Sequence, residues 1–124
     1  MPIPVSVLGT DVVASTLNTA LDGLSLRQRV TADNIANIDT PGFRAATVDF
    51  ETSLQTALAD GSLASGESVA ATTGLATTPA GPNGNNVDLQ SETMTAMRSV
   101  FQYQLMTRAV DDRYSLVKTA IGGM

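Results

Sequence analysis

The side chains of this protein that could do chemistry are carboxylates, because the sequence contains no His and no Cys. Metal sites built on imidazole or thiolate, and nucleophiles or bases of those types, are therefore excluded. Two carboxylate pairs remain as a possible acid and base: Asp111 with Asp112, and Asp49 with Glu51. Adjacent residues on a helix point in different directions, so these carboxylates fit a solvated helix face better than a catalytic pair. We predict no catalytic, metal or cofactor site.

The charge balance restricts the class of partner. Seven basic and twelve acidic residues among 124 give a net charge of −5. Such a protein lacks the excess of cations that nucleic acids and anionic membrane surfaces attract. No apolar run approaches the roughly 20 residues that span a bilayer. The first basic residue is Arg27, so no charged segment precedes the apolar start, as a secretory signal peptide requires. We predict no nucleic-acid binding, no direct lipid binding and no cleavable signal peptide.

Two long amphipathic segments must position the functional residues. They span about residues 11–38 and 89–121, and in both of them apolar side chains recur at intervals of three and four. This spacing is typical of a helix with one narrow apolar stripe. Asp88 is suitably placed to cap the second helix. The predicted helix-packing residues are Leu17, Leu21, Leu24 and Ile35 in the first helix, and Met94, Met97, Phe101, Leu105 and Leu116 in the second.

The middle of the sequence has weaker patterns. Phe50, Leu54 and Leu58 lie four residues apart, which predicts a short helix over about residues 49–59. Residues 60–86 are rich in Gly, Ser, Thr and Ala and carry only two charges, a composition typical of a flexible loop. The alternative for this segment is a small strand pair around residues 72–78.

These patterns predict a mainly α fold. The long N- and C-terminal helices pair as a coiled-coil-like hairpin, and the middle segment is flexible or weakly structured. The expected organisation is a flexible N-terminus over residues 1–10, a helix, turn motif and short helix over 11–59, a low-complexity loop over 60–86, and a C-terminal helix over 87–124 that pairs with the first helix.

A hairpin with such narrow stripes buries little apolar surface. Burial contributes about 25 cal/mol per Å², whereas ordering the backbone costs about 1–2 kcal/mol per residue. The second helix also has apolar side chains off its stripe, which a lone hairpin would expose: Val100, Tyr103, Met106, Val110, Tyr114 and Val117. Apolar groups on several faces favour packing against more than one neighbour. The alternative is a self-contained bundle in which the short helix covers these faces.

The most specific local pattern is the run Asn-Ile-Ala-Asn-Ile-Asp-Thr-Pro-Gly-Phe-Arg at residues 34–44. Pro41 and Gly42 suit the two central positions of a type II turn, in which Gly takes the positive φ. The turn follows the end of the first helix. A helix stop alone does not explain Asn34 and Asn37, which we expect to bond to the partner helix or to the turn itself.

This run resembles the signature of bacterial flagellar rod and hook proteins, Asn-x-Ala-Asn-x-x-Thr-Pro-Gly followed by an aromatic and often a basic residue. The matching residues are Asn34, Ala36, Asn37, Thr40, Pro41, Gly42, Phe43 and Arg44. Residues 85–89, 103–104 and 120–121 are similar to the proximal-rod type of this family. The distal rod and hook types have an outer domain that 124 residues cannot hold. The resemblance covers the two ends of the sequence.

The resemblance implies a structural subunit and not an enzyme. Members of this family pair their terminal helices and stack helically into the hollow rod of the flagellar basal body, which transmits torque and forms an export channel. They are exported through the flagellar type III apparatus without a cleavable signal. The implied partners are other copies of the protein, other rod proteins, the rod adaptor FliE, and the membrane ring and export gate at the rod base. The alternative is a helical-hairpin adaptor or secreted interaction protein outside the flagellum, which would not need the turn motif.

Overall fold

Two long helices dominate the computed structural model, which describes residues 5–67 and 69–122. The elements in sequence order are helix α1 (Val5–Ala36), strand β1 (Ala46–Asp49), helix α2 (Glu51–Asp60), strand β2 (Thr72–Leu75) and helix α3 (Leu89–Gly122). Helices α1 and α3 pack against each other. The predicted mainly α hairpin of terminal helices is therefore confirmed.

Helices α1 and α3 run antiparallel. The side chain of Asn34, near the end of α1, contacts Glu92 in the first turns of α3. Further along α3, Met106 packs against the core cluster of Ala20, Leu24 and Phe50, to which the middle of α1 contributes the first two residues. The end of α1 and the start of α3 therefore lie side by side, and the turn motif that follows α1 is at this end of the hairpin.

Helix α1 begins earlier than the sequence analysis predicted. It starts at Val5 rather than near Asp11, so residues 5–10 of the segment that was expected to be flexible are helical. Once a helix is nucleated, each further residue adds one hydrogen bond at low cost, and a weak pattern at its end does not stop it. Residues 1–4 of that expected segment lie outside the described residues.

The start of α3 agrees with the prediction. The carboxylate of Asp88 accepts hydrogen bonds from the backbone N–H groups of Gln90 at 3.0 Å and Ser91 at 3.2 Å. These N–H groups have no partner inside the helix, and a capping carboxylate satisfies them.

The middle segment contains a two-stranded antiparallel sheet. Ala46 lies opposite Leu75, and Asp49 lies opposite Thr72. Strand β2 thus falls inside residues 60–86, where the sequence analysis predicted a loop with a small strand pair as the alternative. The strand is present, but its partner is β1 and not a second strand within residues 72–78. The turn after α1 places β1 where β2 can pair with it.

The core is small and lies at the middle of the hairpin. Ala20, Leu24 and Phe50 form its buried cluster, with Ala71 and Met106 packed at its edge. Phe50 lies directly on the backbone of α1, since a Cβ built on Gly23 would come within 2.3 Å of the Phe50 ring. Glycine at this position lets the segment before α2 approach α1.

The apolar stripe of α3 faces away from α1. Met97 is 67 % exposed and Phe101 is 61 % exposed, whereas Ser99 is only 1 % exposed. The stripe therefore does not pack against α1 within the subunit, where short side chains such as Ser99 allow the two helices to approach closely. That these residues pack on another helix stays a prediction. We call the exposed set the outer stripe: Met94, Met97, Phe101, Leu105 and Leu116.

The helix-packing residues predicted in α1 are more buried than those predicted in α3. Leu24 is 2 % exposed and belongs to the core cluster. Leu17, Leu21 and Ile35 are half-buried. On α3, Met106 lies against the core although it was assigned to the faces off the stripe.

Candidate functional site

Buried amide side chains surround the turn at the end of α1. Asn34, Asn85 and Asn86 are all less than one-tenth exposed. Together with Asn37 and the turn of residues 40–43 they form what we call the asparagine junction. Buried polar groups are costly unless they are hydrogen-bonded, so the partners of each amide define what the junction does.

The turn itself has the geometry that its sequence predicts. The N–H of Phe43 donates to the carbonyl of Thr40 at 3.2 Å, and Gly42 has a φ of +76°. Pro and Gly therefore occupy the central positions of a type II turn. The Thr40 hydroxyl donates to Asn37 Oδ1 at 3.1 Å, and the N–H of Gly42 donates to the carbonyl of Asn83 at 2.8 Å. The turn is thus tied both to α1 and to the segment that precedes α3.

Asn34 links three elements. Its Nδ2 donates to the carbonyl of Ala46 at 2.8 Å, and its Oδ1 accepts the N–H of Ala46 at 3.0 Å. The amide therefore pairs with the edge of β1 as a neighbouring strand would. Nδ2 also donates to Glu92 Oε1 at 3.1 Å. The sequence left open whether Asn34 bonds to the partner helix or to the turn itself. It bonds to the partner helix through Glu92, and its other partner is β1 and not the turn.

Asn85 caps the end of α1 from a distant part of the sequence. Its Nδ2 lies 2.9 Å from the carbonyl oxygen of Asn37, 3.0 Å from that of Ile38 and 2.8 Å from that of Thr40. The last carbonyls of a helix have no partner within it. The Oδ1 of Asn85 accepts the N–H of Val87 at 2.7 Å, so the same amide also shapes the approach to α3.

Asn86 joins the two strands beyond the end of their ladder. Its Oδ1 accepts the N–H of Ala45 at 2.6 Å, and its Nδ2 donates to the carbonyls of Ala76 and Thr78, each at 3.2 Å. Its own N–H donates to the carbonyl of Phe43 at 3.3 Å. The adjacent asparagines at 85 and 86 therefore connect the turn, the sheet and α3.

A second polar contact holds the start of α2 on α1. The Arg27 guanidinium donates to Glu51 through two hydrogen bonds of 2.9 Å and 2.6 Å, and to the carbonyl of Val48 at 2.7 Å. It also lies 4.9 Å from the centroid of the Phe50 ring. Hydrogen bonding by Arg27 is the main cause that lowers the pKa of the Glu51 carboxyl. Glu51 is ionised and engaged in structure, which does not suit a general acid.

The remaining carboxylates considered for acid–base chemistry have structural or solvated positions. Hydrogen bonds from Thr52 lower the pKa of Asp49, whose Oδ1 accepts the Thr52 N–H at 3.1 Å. Asp111 and Asp112 are exposed on α3.

Across residues 5–67 and 69–122, no group of three or more Asp or Glu residues is placed to hold a metal ion. None of the described helices has the length and hydropathy needed to cross a membrane.

Glu92 is an acidic side chain that contacts the junction through Asn34. Burial raises the pKa of its carboxyl, the hydrogen bond from Asn34 acts in the opposite direction, and the nearby charge of Asp88 raises it further. The junction borders a groove of about 930 Å³ between α1, β1 and the start of α3. Polar residues of that groove, among them Arg27 and Asn86, already hydrogen-bond within the subunit.

Comparison with known proteins decides among the functions that a helical hairpin can serve. Residues 15–44, which include the turn, match the family described as "Flagella basal body rod protein". A Borreliella burgdorferi protein named "Flagellar basal body rod protein FlgB" is 35 % identical over 106 residues, which cover 70 % of this chain and 78 % of that relative. A Bacillus subtilis protein of the same name is 26 % identical over 117 residues, or 86 % of this chain and 91 % of the relative. A third, from Borrelia hermsii, is 60 % identical over 38 residues, or 31 % of this chain and 28 % of the relative.

The chain belongs to the flagellar basal body rod protein family. The resemblance inferred from residues 34–44 is confirmed, and all three of these relatives carry the FlgB name. The protein is a structural subunit of the flagellar basal-body rod. An adaptor or secreted protein outside the flagellum is not favoured.

The structure brings together only part of the motif that identifies this rod protein. Thr40 bonds to Asn37 within the junction, and Gly42 bonds to Asn83 beside it. Asn34 bonds from the junction to β1 and α3. Ala36, Pro41 and Arg44 are exposed, and Phe43 is half-buried. Arg44 donates to the carbonyl of Ala76 at 3.4 Å, so it contacts the end of β2 and not the end of the helix.

Sequence reasoning missed several residues that hold the rod protein together. Asn85 and Asn86 were noted only as part of the family resemblance, although two adjacent Asn residues after a Gly- and Pro-rich segment are a signal for side chains that bond to turns. No local pattern shows that Asn85 binds carbonyls 45 to 48 residues away. Arg27 and Glu51 were likewise not paired, because they lie 24 residues apart in the sequence.

Proposed function

We propose that this rod protein is a proximal-rod subunit that assembles helically with further copies of itself and with other rod proteins, transmits torque and lines an export channel. The observation that carries the proposal is the outer stripe. Its five side chains are between 47 % and 71 % exposed and lie on one long helix. Contiguous exposed apolar side chains on a small protein mark an interaction surface.

The shape of the outer stripe suits a neighbouring helix. From Met94 to Leu116 it extends about 33 Å at 1.5 Å per residue. Burying such a stripe contributes about 25 cal/mol for each Å² of apolar surface removed from water. The stripe differs from the face of α3 that meets α1, so a subunit can hold its own hairpin and a neighbour at once. Contacts between different surfaces that do not close into a ring produce an open helical assembly.

The proposed location is the flagellar basal body, and the proposed neighbours beyond the rod proteins are the rod adaptor FliE and the membrane ring and export gate at the rod base. Membership of the rod protein family supports these neighbours. We also propose export through the flagellar type III apparatus. Among the described residues the core cluster consists of Ala20, Leu24 and Phe50, and such limited packing supports export in an unfolded state.

We propose no catalytic role for this rod protein. Asp49 and Glu51 serve a helix cap and an ion pair, and the same hydrogen bonds lower the pKa of both carboxyls. A general acid near neutral pH needs the opposite shift. The rod function requires only that the protein folds and binds its neighbours.

Motility complementation tests the proposal. In cells that lack the chromosomal copy, we expect Met97→Glu combined with Phe101→Glu to abolish swimming, because two charges then lie in the outer stripe. The control is Gln104→Glu combined with Thr107→Glu, which adds the same charge at exposed polar positions of α3. The control should swim.

Two further measurements distinguish failed assembly from failed folding. Circular dichroism of the purified stripe variant should match the parent, since exposed substitutions change stability by about 0.5 kcal/mol or less. Fractionation should place the stripe variant outside isolated basal bodies. If the stripe variant swims like the parent, the outer stripe is not the assembly surface and the proposal is wrong.

A further inference from the structure

Asn83 and Gly84 form the single Asn-Gly step of the sequence, at the edge of the asparagine junction. We propose that Asn83 is a site of spontaneous deamidation and that folding of the junction protects it. This inference goes beyond the rod function and does not depend on it. It rests on the exposure of Asn83 and on the hydrogen bonds that hold both reacting groups.

The reaction needs no partner except water. The backbone nitrogen of Gly84 loses its proton and attacks Asn83 Cγ. A new bond then forms between these two atoms, the bond from Cγ to Nδ2 breaks, and ammonia leaves. Glycine has no Cβ to obstruct this approach. Water then opens the resulting five-membered succinimide at either carbonyl, which yields aspartate or isoaspartate. No oxidant or reductant takes part.

The folded turn restrains both reacting groups. The N–H of Gly84, whose proton must leave, donates to the carbonyl of Gly81 at 2.9 Å. The Oδ1 of Asn83 accepts the N–H of Asn85 at 3.1 Å, which fixes the orientation of the amide. Gly84 also packs on the turn, since a Cβ built on it would lie 3.2 Å from the Cα of Gly42. The ring closes only after this segment opens locally.

Modification would damage the junction that protects the site. The carbonyl of Asn83 accepts the N–H of Gly42 at 2.8 Å. In isoaspartate the backbone passes through the former side chain, and that carbonyl becomes a free carboxylate. The modified backbone is one methylene longer between the turn contact and Asn85. The longer backbone displaces Asn85 from its position against the carbonyls at the end of α1, so a protein that stays unfolded for long forms a weaker junction.

Mass spectrometry of the full-length protein tests this proposal. Arg44 and Arg98 bound a tryptic peptide, residues 45–98, that contains Asn83, Asn85 and Asn86 and can be fragmented to locate the change. The protein is incubated at neutral pH in buffer and in urea, with a synthetic peptide of residues 78–88 as a reference in both. We expect Asn83 to react first, and roughly tenfold more slowly in buffer than in urea, while the reference peptide reacts equally in both. That ratio equals an opening free energy of about 1.4 kcal/mol.

Two variants sharpen the test. Asn85→Ala keeps the Asn-Gly step but removes the bonds to the end of α1, so its rate in buffer should rise towards the rate in urea. Asn83→Gln should stop the reaction at this position, because the equivalent ring is larger and closes slowly. Equal rates for the parent protein in buffer and urea, or earlier modification of Asn85 or Asn86, would overturn the proposal.

Discussion

The asparagine junction and the outer stripe of α3 invert the usual distribution of side chains. At the junction, the amides of Asn34, Asn85 and Asn86 are buried. Along the outer stripe, Met and Phe side chains are mostly exposed. Apolar residues are ordinarily the buried ones. The difference teaches that the polar contacts inside the subunit and its exposed apolar surface lie in separate places in this rod protein.

Hydrogen bonds suit the junction, and apolar burial suits the outer stripe. A hydrogen bond contributes a net of only about 0.5–1.5 kcal/mol, but it is directional, so the amides of the junction set how the end of α1 meets the start of α3. Apolar burial is not directional and is proportional to area. We infer that the junction determines the shape of the subunit and that the stripe is reserved for assembly.

Hydrogen exchange should show the largest difference between the two regions. In the isolated subunit, we expect amides over residues 92–102 to exchange roughly hundredfold more slowly than those over residues 108–122. Each factor of ten corresponds to a difference of about 1.4 kcal/mol in the free energy of opening. The first range lies beside the junction, whereas Tyr114 and Leu116 in the second are more than 70 % exposed. Protection that is uniform along α3 would contradict the separation.

Removal of one amide should have the next largest effect. Asn85→Ala deprives the carbonyls of Asn37, Ile38 and Thr40 of their shared donor. We expect a loss of about 1–3 kcal/mol in the free energy of unfolding, because the hydrogen bonds of a buried amide are lost and the carbonyl of Ile38 loses its donor. Urea unfolding followed by circular dichroism measures it. Asn18→Ala is the matched control, since Asn18 is exposed on α1 and should show no loss.

Strain at the turn should cost somewhat less. Gly42 has a φ of +76°, and a Cβ there would meet nothing within 4 Å. Gly42→Val should therefore lose about 1–2 kcal/mol through backbone strain alone and not through a clash. Gly42→Asn should lose less, because Asn tolerates the left-handed region. Equal unfolding free energies for the two variants would show that the turn adapts.

The smallest effect should be a difference in pH dependence between two carboxyls. Burial raises the pKa of Glu92 above its ordinary value near 4.5, so the stability that it contributes is present below that pH and is lost as the pH rises. The pKa of Glu51 is lowered, so its contribution is present above pH 4.5 and is lost as the pH falls. Glu92→Gln should therefore stabilise the protein at neutral pH, and Glu51→Gln should destabilise it. Unfolding midpoints across acid pH measure both, and changes of the same sign would contradict this assignment.

Local features of this rod protein could be predicted from its sequence. The periodic spacing of apolar residues predicted both long helices, because a helix is formed by bonds between residues four apart. Asp88 and Gly42 could be placed for the same reason, since a helix cap and a type II turn each depend on a few adjacent residues. The family could also be inferred, because its signature is a continuous run, residues 34–44.

The candidate site could be predicted only in part. Asn34 and Asn37 were singled out, but the role of Asn85 at the end of α1 was not, because its partners are distant in sequence. The pairing of β2 with β1 was missed for the same reason. The outer stripe was predicted to pack on a helix, but which helix could not be predicted, since periodicity shows that a helix has an apolar face but not which surface covers it.

The sequence by itself determined which segments are helical, where they are capped and turned, and to which family the protein belongs, because each of these depends on residues close together in sequence. Only the tertiary structure decided that Ser99 rather than Phe101 meets the first helix, that Asn85 completes the end of α1, and that Arg27 holds Glu51. These are contacts between distant residues, and they follow from how closely two backbones can approach and from which buried polar atoms still need a partner.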